Sequence, residues 1–490
     1  MKRTTCTKSF LLTEGRRRIK RLACCLGVAS FALLCAGDLH ASPPPRINAS
    51  SADNTGIHGC SLLTGVKRRS NGLGDLCGLR EWLNSYGGSL SLAETSEVLG
   101  NATGGAAQGA EYDGLTTATF QLDTQRAFHW YGGTFNVSAL QVHGQNLSED
   151  NLLSLQTSSG IESDRAIRLW ELWYDQKFDK EGQYDIKIGQ QSLDQEYMVS
   201  QNGLLYLNTM FGWAMLPSAD MPGGGPAYPL SAPGIRLHAR PGNAWTLLAG
   251  AYTGNAGQQN SSGTAFPTDG FLGIAELQYA YPSLGLTVRS DNRTPLGRIY
   301  KIGAWYDNVK FDDQRMDHNG LSLADPDSDG VARTHHGDYA IYAVADQMLW
   351  VDSHENDRSI SVFVRPMGTP LSDRNLVDFS MNAGLNFNEP IMHRDDDTFG
   401  LGMGYTHVSS RAADLDRDQK RYTNNLHYPI RAGETYLEAT YQYQFTAWCQ
   451  LQPDFQYIIH PGAGILNPNS TTGQKVKNEA VLGFRMNLAL

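Results

Sequence analysis

Long apolar runs are scarce in this chain of 490 residues. The most pronounced, residues 22–36, lies near the start behind the basic stretch 16–21 and ahead of a small-residue site at Ala41. Basic stretch, short apolar run and small residue together read as a secretory signal peptide over residues 1–41. Cys24 and Cys35 lack the small-residue box of an acylated lipoprotein terminus. Beyond residue 41 no stretch reaches the ~18 apolar residues a membrane-crossing helix needs. Cysteine is equally sparse there, with only Cys60, Cys77 and Cys449. No C-x-x-C spacing occurs, which argues against a cysteine metal centre. Cys60 and Cys77 are close enough in sequence to pair in an oxidising compartment, leaving Cys449 over. Net positive charge is missing too. The formal charge is −10, and it becomes −16 once residues 1–41 are removed. That disfavours nucleic acid as a partner. G-x-S-x-G, Walker and H-E-x-x-H motifs are all absent, so no catalytic residue, metal or cofactor is assigned.

What the chain has in abundance is alternation. In ETYLEATYQYQF (residues 434–445), Leu437, Ala439, Tyr441, Tyr443 and Phe445 share one face, and Glu438, Thr440, Gln442 and Gln444 share the other. CQLQPDFQY (449–457) repeats the scheme. Side chains alternate faces along a strand, so this is a two-stranded ribbon with one apolar, aromatic-ended face and one face of amides and acids. A soluble sandwich would turn the apolar face inward. A wall between lipid and a watery lumen turns it outward.

The same lettering recurs along the chain. In RLWELWYDQKF (168–178) it puts Trp170, Leu172, Tyr174 and Phe178 outward, and Glu171, Trp173, Asp175 and Lys177 inward. It recurs in segments 183–191, 234–240, 274–281, 300–307, 360–365, 378–387, 399–406 and 480–490. Many such strands in an exported chain imply closure, because in lipid only a closed sheet leaves no backbone group unpaired. At roughly 25 residues per span, turn and loop, about sixteen strands fit. The fold expected is an all-β, transmembrane antiparallel barrel over residues 87–490. A lead-in over 42–86 precedes it, with one short helix at LREWL (79–83).

The stretches GLGDLCGLREWLNSYGGSLSLAETSEVLGNATGG (72–105), RLWELWYDQKF with IKIGQQSLDQEYM (168–198), FGWAMLPSADMPGGGPAYPLSAPGIRL (211–237), YKIGAWYD (300–307), AVADQMLW (343–350) and LQPDFQYIIHPG (451–462) together resemble the carbohydrate-selective porin family (OprB type) of the Gram-negative outer membrane. Two departures stand out: Cys77 where an aromatic-and-glycine segment is usual, and a terminal Leu490 rather than an aromatic. The resemblance implies a sixteen-stranded barrel admitting glucose-like mono- and small oligosaccharides by diffusion, set in outer-membrane lipid as a single barrel or a homotrimer.

Sugar selectivity needs aromatic faces to stack on a pyranose and charged or amide groups to bond its hydroxyls. Glu171, Trp173, Arg236, Glu276, Trp305 and Arg365 meet the inward-facing rule and are the candidates; each is otherwise an ordinary wall residue. Residues 198–233 hold five prolines and Gly223–Gly225 and cannot be a strand throughout. This segment is expected to fold into the barrel and narrow it, the alternative being a loop on the rim. Gly400, Gly402 and Gly404 would leave a bare wall for it, or mark strand curvature. Asp325, Asp327, Asp329 and Gly330 open a calcium-loop pattern, but His336 stands where the pattern needs Glu, so an acidic outer loop is the reading. His335, His336 and His393 are expected in loops. The alternatives to a sugar channel are a cation-leaning general pore, a barrel hydrolase, which would need a Ser/His/acid set, and an adhesive or structural barrel without conductance.

Overall fold

The structure, a computed structural model, describes residues 70–490 apart from 243, 266–267, 283–295, 353–357, 392–393, 395 and 471–472. Sixteen strands run in chain order around one closed antiparallel barrel. They are β1 (Gly88–Gly105), β2 (Ala110–Asp123), β3 (Gly133–Gly144), β4 (Ala166–Lys177), β5 (Tyr184–Gln191), β6 (Ala232–Ala239), β7 (Trp245–Tyr252), β8 (Leu272–Tyr281), β9 (Arg298–Asp317), β10 (Ala332–Val351), β11 (Ser359–Gly368), β12 (Val377–Asn388), β13 (Thr398–Val408), β14 (Gly433–Thr446), β15 (Cys449–Ile459) and β16 (Lys477–Ala489). Closure is made by β1 against β16, from Ala93 opposite Ala489 to Gly105 opposite Lys477.

The expected short helix forms as α1 (Leu79–Ser85), just before β1. Arg80 ties it to the barrel base by donating to the carbonyls of Gly74, Leu90 and Leu490. A second short helix, α2 (Thr124–Phe128), follows β2, with the Asp123 carboxylate capping its first N–H groups. Cys77 is disulfide-bonded; Cys60, its expected partner, lies outside the described residues.

Connections differ at the two ends. The turn between β14 and β15 is only residues 447–448, whereas the β5–β6 connection runs from 192 to 231 and the β13–β14 connection carries the helix α3 (Ser410–Tyr422). Outer-membrane barrels carry their short turns on the periplasmic side and longer loops outside. The end with the β14–β15 turn, α1 and the start of β1 is therefore the periplasmic one.

Alternation holds in most places. Ile188, Ile235, Leu237, Ile302, Tyr306, Leu401 and Leu437 are exposed on the outer face. Trp170 departs from it. A bulge between β3 and β4 sets Glu171 opposite Ser138 and Leu169 opposite Ala139, so one residue is left over. Trp170 lines the interior, edge-on to Tyr228 at 6.4 Å, rather than facing lipid as strict alternation requires. An extra residue reverses the side on which a side chain emerges.

The long β5–β6 connection does fold inward. Leu205, Tyr206, Leu207, Met210, Phe211, Trp213 and Leu216 join one buried cluster with the inward side chains Trp305, Tyr342, Phe363 and Tyr436 of the wall. Tyr206 stacks on Phe211 at 4.3 Å, and Phe211 meets Tyr436 edge-on at 5.3 Å. Gly400 and Gly402 of β13 make this possible, and Gly404 leaves room for the Tyr436 ring that Phe211 meets. A Cβ at Gly402 would lie 2.6 Å from Phe211, and one at Gly400 would lie 2.6 Å from Leu205.

Candidate functional site

The inward loop fills one side of the lumen, and the other side stays open as a cavity of about 980 Å³. Its wall is β4, β5 and β6. Inward positions there carry Glu171, Trp173 and Asp175 on β4, Asp185 and Lys187 on β5, and Arg236 and His238 on β6. Pairing brings Asp175 opposite Lys187, Lys187 opposite Arg236, and Asp185 opposite His238. Asp175 thus meets a cation across adjacent strands, while the two cations Lys187 and Arg236 stand side by side and share the Glu196 carboxylate.

Arg236 is the hub of this wall. Its guanidinium donates to Asp185, to Glu196 Oε2 at 2.7 Å, and lies 3.8 Å from Asp175. Glu196, from the inward loop, also pairs with Lys187. His238 Nδ1 lies 2.7 Å from the second Asp185 oxygen. The Lys187 ammonium sits 4.4 Å over the Trp173 ring. Gly189, cross-strand from Trp173, leaves that position without a side chain; a Cβ there would come within 3.0 Å of Trp173 Cβ. Glu171 is mostly buried and accepts the Ser192 N–H at 3.0 Å, which fixes the start of the inward loop. The wall thus offers an aromatic face held by a cation, surrounded by carboxylates, a guanidinium and amides. Such a surface stacks on the C–H face of a sugar ring and exchanges hydrogen bonds with its hydroxyls.

The six residues chosen from alternation divide here. Glu171, Trp173 and Arg236 come together on the open wall. Glu276, Trp305 and Arg365 also point inward, but the loop covers them. Glu276 accepts the Met198 N–H at 2.8 Å and the Tyr342 hydroxyl at 2.9 Å. Trp305 belongs to the buried cluster under the loop. Arg365 has no exposed surface; it donates to the carbonyls of Met198 and Gly212, each at 2.8 Å, to that of Met210, and to Asn382. These three hold the loop. Asp346 and Glu438 do the same: Asp346 accepts from Ser200, Gln201 and Asn202, and Glu438 from the N–H groups of Leu207 and Asn208.

Sequence reasoning passed over Trp170, Asp185, Lys187, Glu196 and His238 as site residues. Asp185, Lys187 and His238 already stood on inward positions of their strands, and adjacency on β5 and β6 was the available signal. Trp170 needed the bulge and Glu196 the loop's path, neither of which leaves a local mark.

The Asp325–Gly330 segment folds as tight turns. Its carboxylates accept nearby donors: Asp325 takes the Asp327 N–H at 3.0 Å and the Tyr422 hydroxyl at 2.6 Å, and Asp329 takes the Val331 N–H at 3.0 Å. Among the described residues no group of three or more His, Cys, Asp or Glu is arranged to hold a metal ion. His335 and His336 lie on β10 rather than in a loop, and His335 Nε2 is 2.8 Å from Asp313. His393 lies outside the described residues.

A closed antiparallel barrel with an apolar exterior, a polar lumen and an inward loop defines a diffusion channel of the outer-membrane kind. Residues 107–490 match the family described as carbohydrate-selective porin, OprB family, and the chain belongs to it. Over 425 residues it is 26% identical to Porin B of Pseudomonas aeruginosa, covering 80% of this chain and 87% of that one. The high-pH structure of Pseudomonas putida OprB superposes with a TM-score of 0.72 at 22% identity, over 86% of this chain and 99% of that one. The low-pH structure of the same protein gives 0.53 at 17% identity, over 86% and 98%. The chain is a carbohydrate-selective porin of the Gram-negative outer membrane, a passive channel and not an enzyme.

Proposed function

We propose that sugars pass through the open side of the lumen along the β4–β6 wall, with Trp173 as the stacking face and Glu171, Arg236 and their charged neighbours as hydroxyl partners. The observation that carries this is the placement of Trp173 beneath Lys187 on the wall of the 980 Å³ cavity. Paired charges of both signs let a neutral, hydroxyl-rich solute exchange hydrogen bonds with the wall at little cost. A single ion gains less, because Lys187 and Arg236 already have counter-charges in Glu196 and Asp185. The solutes favoured are neutral monosaccharides and small oligosaccharides. Export follows from residues 1–41 acting as a cleaved signal, and N-terminal sequencing of outer-membrane protein should then begin at Ser42.

The test is a liposome-swelling series with graded sugars, joined to glucose block of single-channel current. Monosaccharides should enter fastest, with rates falling as chain length grows, and glucose should lower the current. Strong cation selectivity with no effect of glucose would replace this reading with a general cation-leaning pore.

A further inference from the structure

Glu171 and Glu276 show how this chain treats a buried acid: each is met by donors at the inward loop. One group of acids at the outer end of the barrel is not treated so. There β9 and β10 run 20 residues each and rise past β8, whose first residue, Leu272, stands opposite Asp307. Asp307 on β9 and Asp338 on β10 are cross-strand partners, on the inward face that also carries Trp305 and Ala340. Neither has exposed surface. Like charges placed directly opposite one another repel.

Two further residues close on the pair. Asn375, from the β11–β12 connection, has no exposed surface and donates its amide to Asp338 Oδ1 at 2.8 Å. Asp220 ends the short helix Met215–Asp220 of the inward loop and is only 7% exposed. Its Oδ1 accepts the Val377 N–H at 3.2 Å, two residues beyond Asn375. The β7–β8 connection covers Asp307, since a Cβ on Gly254 would lie 2.5 Å from its Oδ1. That same Oδ1 accepts the Val309 N–H at 3.0 Å. Four oxygens are left over: Asp307 Oδ2, Asp338 Oδ2, Asp220 Oδ2 and Asn375 Oδ1. Each is buried and has no hydrogen-bond partner. The neighbouring Arg374 guanidinium does not serve them. It donates to both oxygens of Asp373 and to the carbonyls of His336 and Gly337.

A buried acceptor without a donor is costly, and carboxylates buried side by side without a counter-charge are costlier. A bound cation removes both costs at once. The four donors are all oxygen, three from carboxylates and one from an amide, which is the ligand set of a hard ion. The three acidic or imidazole groups of a transition-metal centre are not gathered here. Calcium suits such a set, because it takes amide oxygens and water beside carboxylates and tolerates irregular geometry. We propose that Asp307, Asp338 and Asn375 hold a calcium ion, with Asp220 joining them from the inward loop. The ion then ties the loop to the outer ends of β9–β12. None of the four residues lines the open cavity, so this role is separate from the sugar path.

The test uses the full-length chain in detergent, stripped with EDTA and titrated with calcium chloride alone. Elemental analysis after gel filtration should find one calcium per chain. Terbium, excited through Trp305 two residues along β9 on the same face, should luminesce until calcium displaces it. Asp307→Asn combined with Asp338→Asn should weaken calcium binding by roughly a hundredfold. Asp325→Asn combined with Asp329→Asn, in the outer turns, should leave it unchanged. EDTA should raise single-channel conductance of the unsubstituted chain as the loop loosens; calcium should reverse this and sodium at equal ionic strength should not. No calcium retained by the unsubstituted chain, or equal retention by the Asp307→Asn, Asp338→Asn variant, would overturn the site. The same variant should be the more stable of the two chains in EDTA and the less stable in calcium. Greater stability of the variant in both would mean that protons, not a cation, neutralise these acids, and would overturn the proposal as well. If the double variant fails to fold, Asn375→Leu replaces it with the same outcomes, since it removes one oxygen and no charge.

Discussion

Two walls of one lumen obey the same alternation and end differently. On β4–β6 the inward residues Trp173, Asp185, Lys187 and Arg236 line the open cavity and meet one another. On β8–β13 the inward residues Glu276, Trp305, Phe363 and Arg365 meet the β5–β6 loop and are buried. Facing the lumen is thus a necessary condition for touching a solute and not a sufficient one. An inward position describes a direction; what occupies the space in that direction is decided elsewhere in the chain.

The comparison can be tested by truncating one residue at a time on each wall. The largest effect is expected from Trp305→Ala on the covered wall. It removes a large buried ring and should cost about 3–5 kcal/mol of barrel stability by denaturant titration in lipid vesicles, with glucose block unchanged in the folded fraction. A change in block without loss of stability would put Trp305 in the solute path. Arg365→Ala comes next. Three loop carbonyls lose their donor, which should weaken loop docking by on the order of 3 kcal/mol. Single-channel conductance should rise and amides around residues 198–212 should exchange faster, while the barrel keeps its heat resistance. Gly402→Leu should reach the same result by another route, since the added side chain occupies the place of the Phe211 ring. Unaltered conductance in both variants would mean the loop stays docked without these contacts.

On the open wall, Trp173→Ala should weaken glucose block by about 1 kcal/mol, near fivefold, and leave stability almost untouched. Trp173→Phe should recover most of it. The smallest effect is local and pH-dependent. Glu162, in the connection between β3 and β4, accepts from Ser148 and Ser158, yet burial pushes its carboxyl up to about 7. A carboxyl raised in the folded state favours folding most below its ordinary value and loses that contribution as pH rises through about 7. Proteolysis of this connection should therefore quicken between pH 5 and 8, and Glu162→Gln should flatten the dependence.

Period-two lettering determined a good deal by itself. It placed the strands, assigned most side chains to lipid or lumen, and with strand number implied closure, because a backbone in hydrocarbon tolerates no free edge. It also marked residues 198–233 as a segment that could not be a strand, through its prolines and glycines, and Gly400–Gly404 as a wall with room against it. Three of the six chosen side chains stand on the open wall for the same local reason. What it could not carry were facts that depend on contacts distant in sequence. The bulge that turns Trp170 inward exists only in the pairing of β3 with β4. The burial of Glu276, Trp305 and Arg365 depends on where a loop up to 167 residues away in sequence comes to rest. Glu196 reaches Arg236 only because that loop starts back across the lumen. Alternation is a property of each strand's own backbone and so is written locally; occupancy of the lumen is a property of packing, settled only when distant segments compete for the same volume.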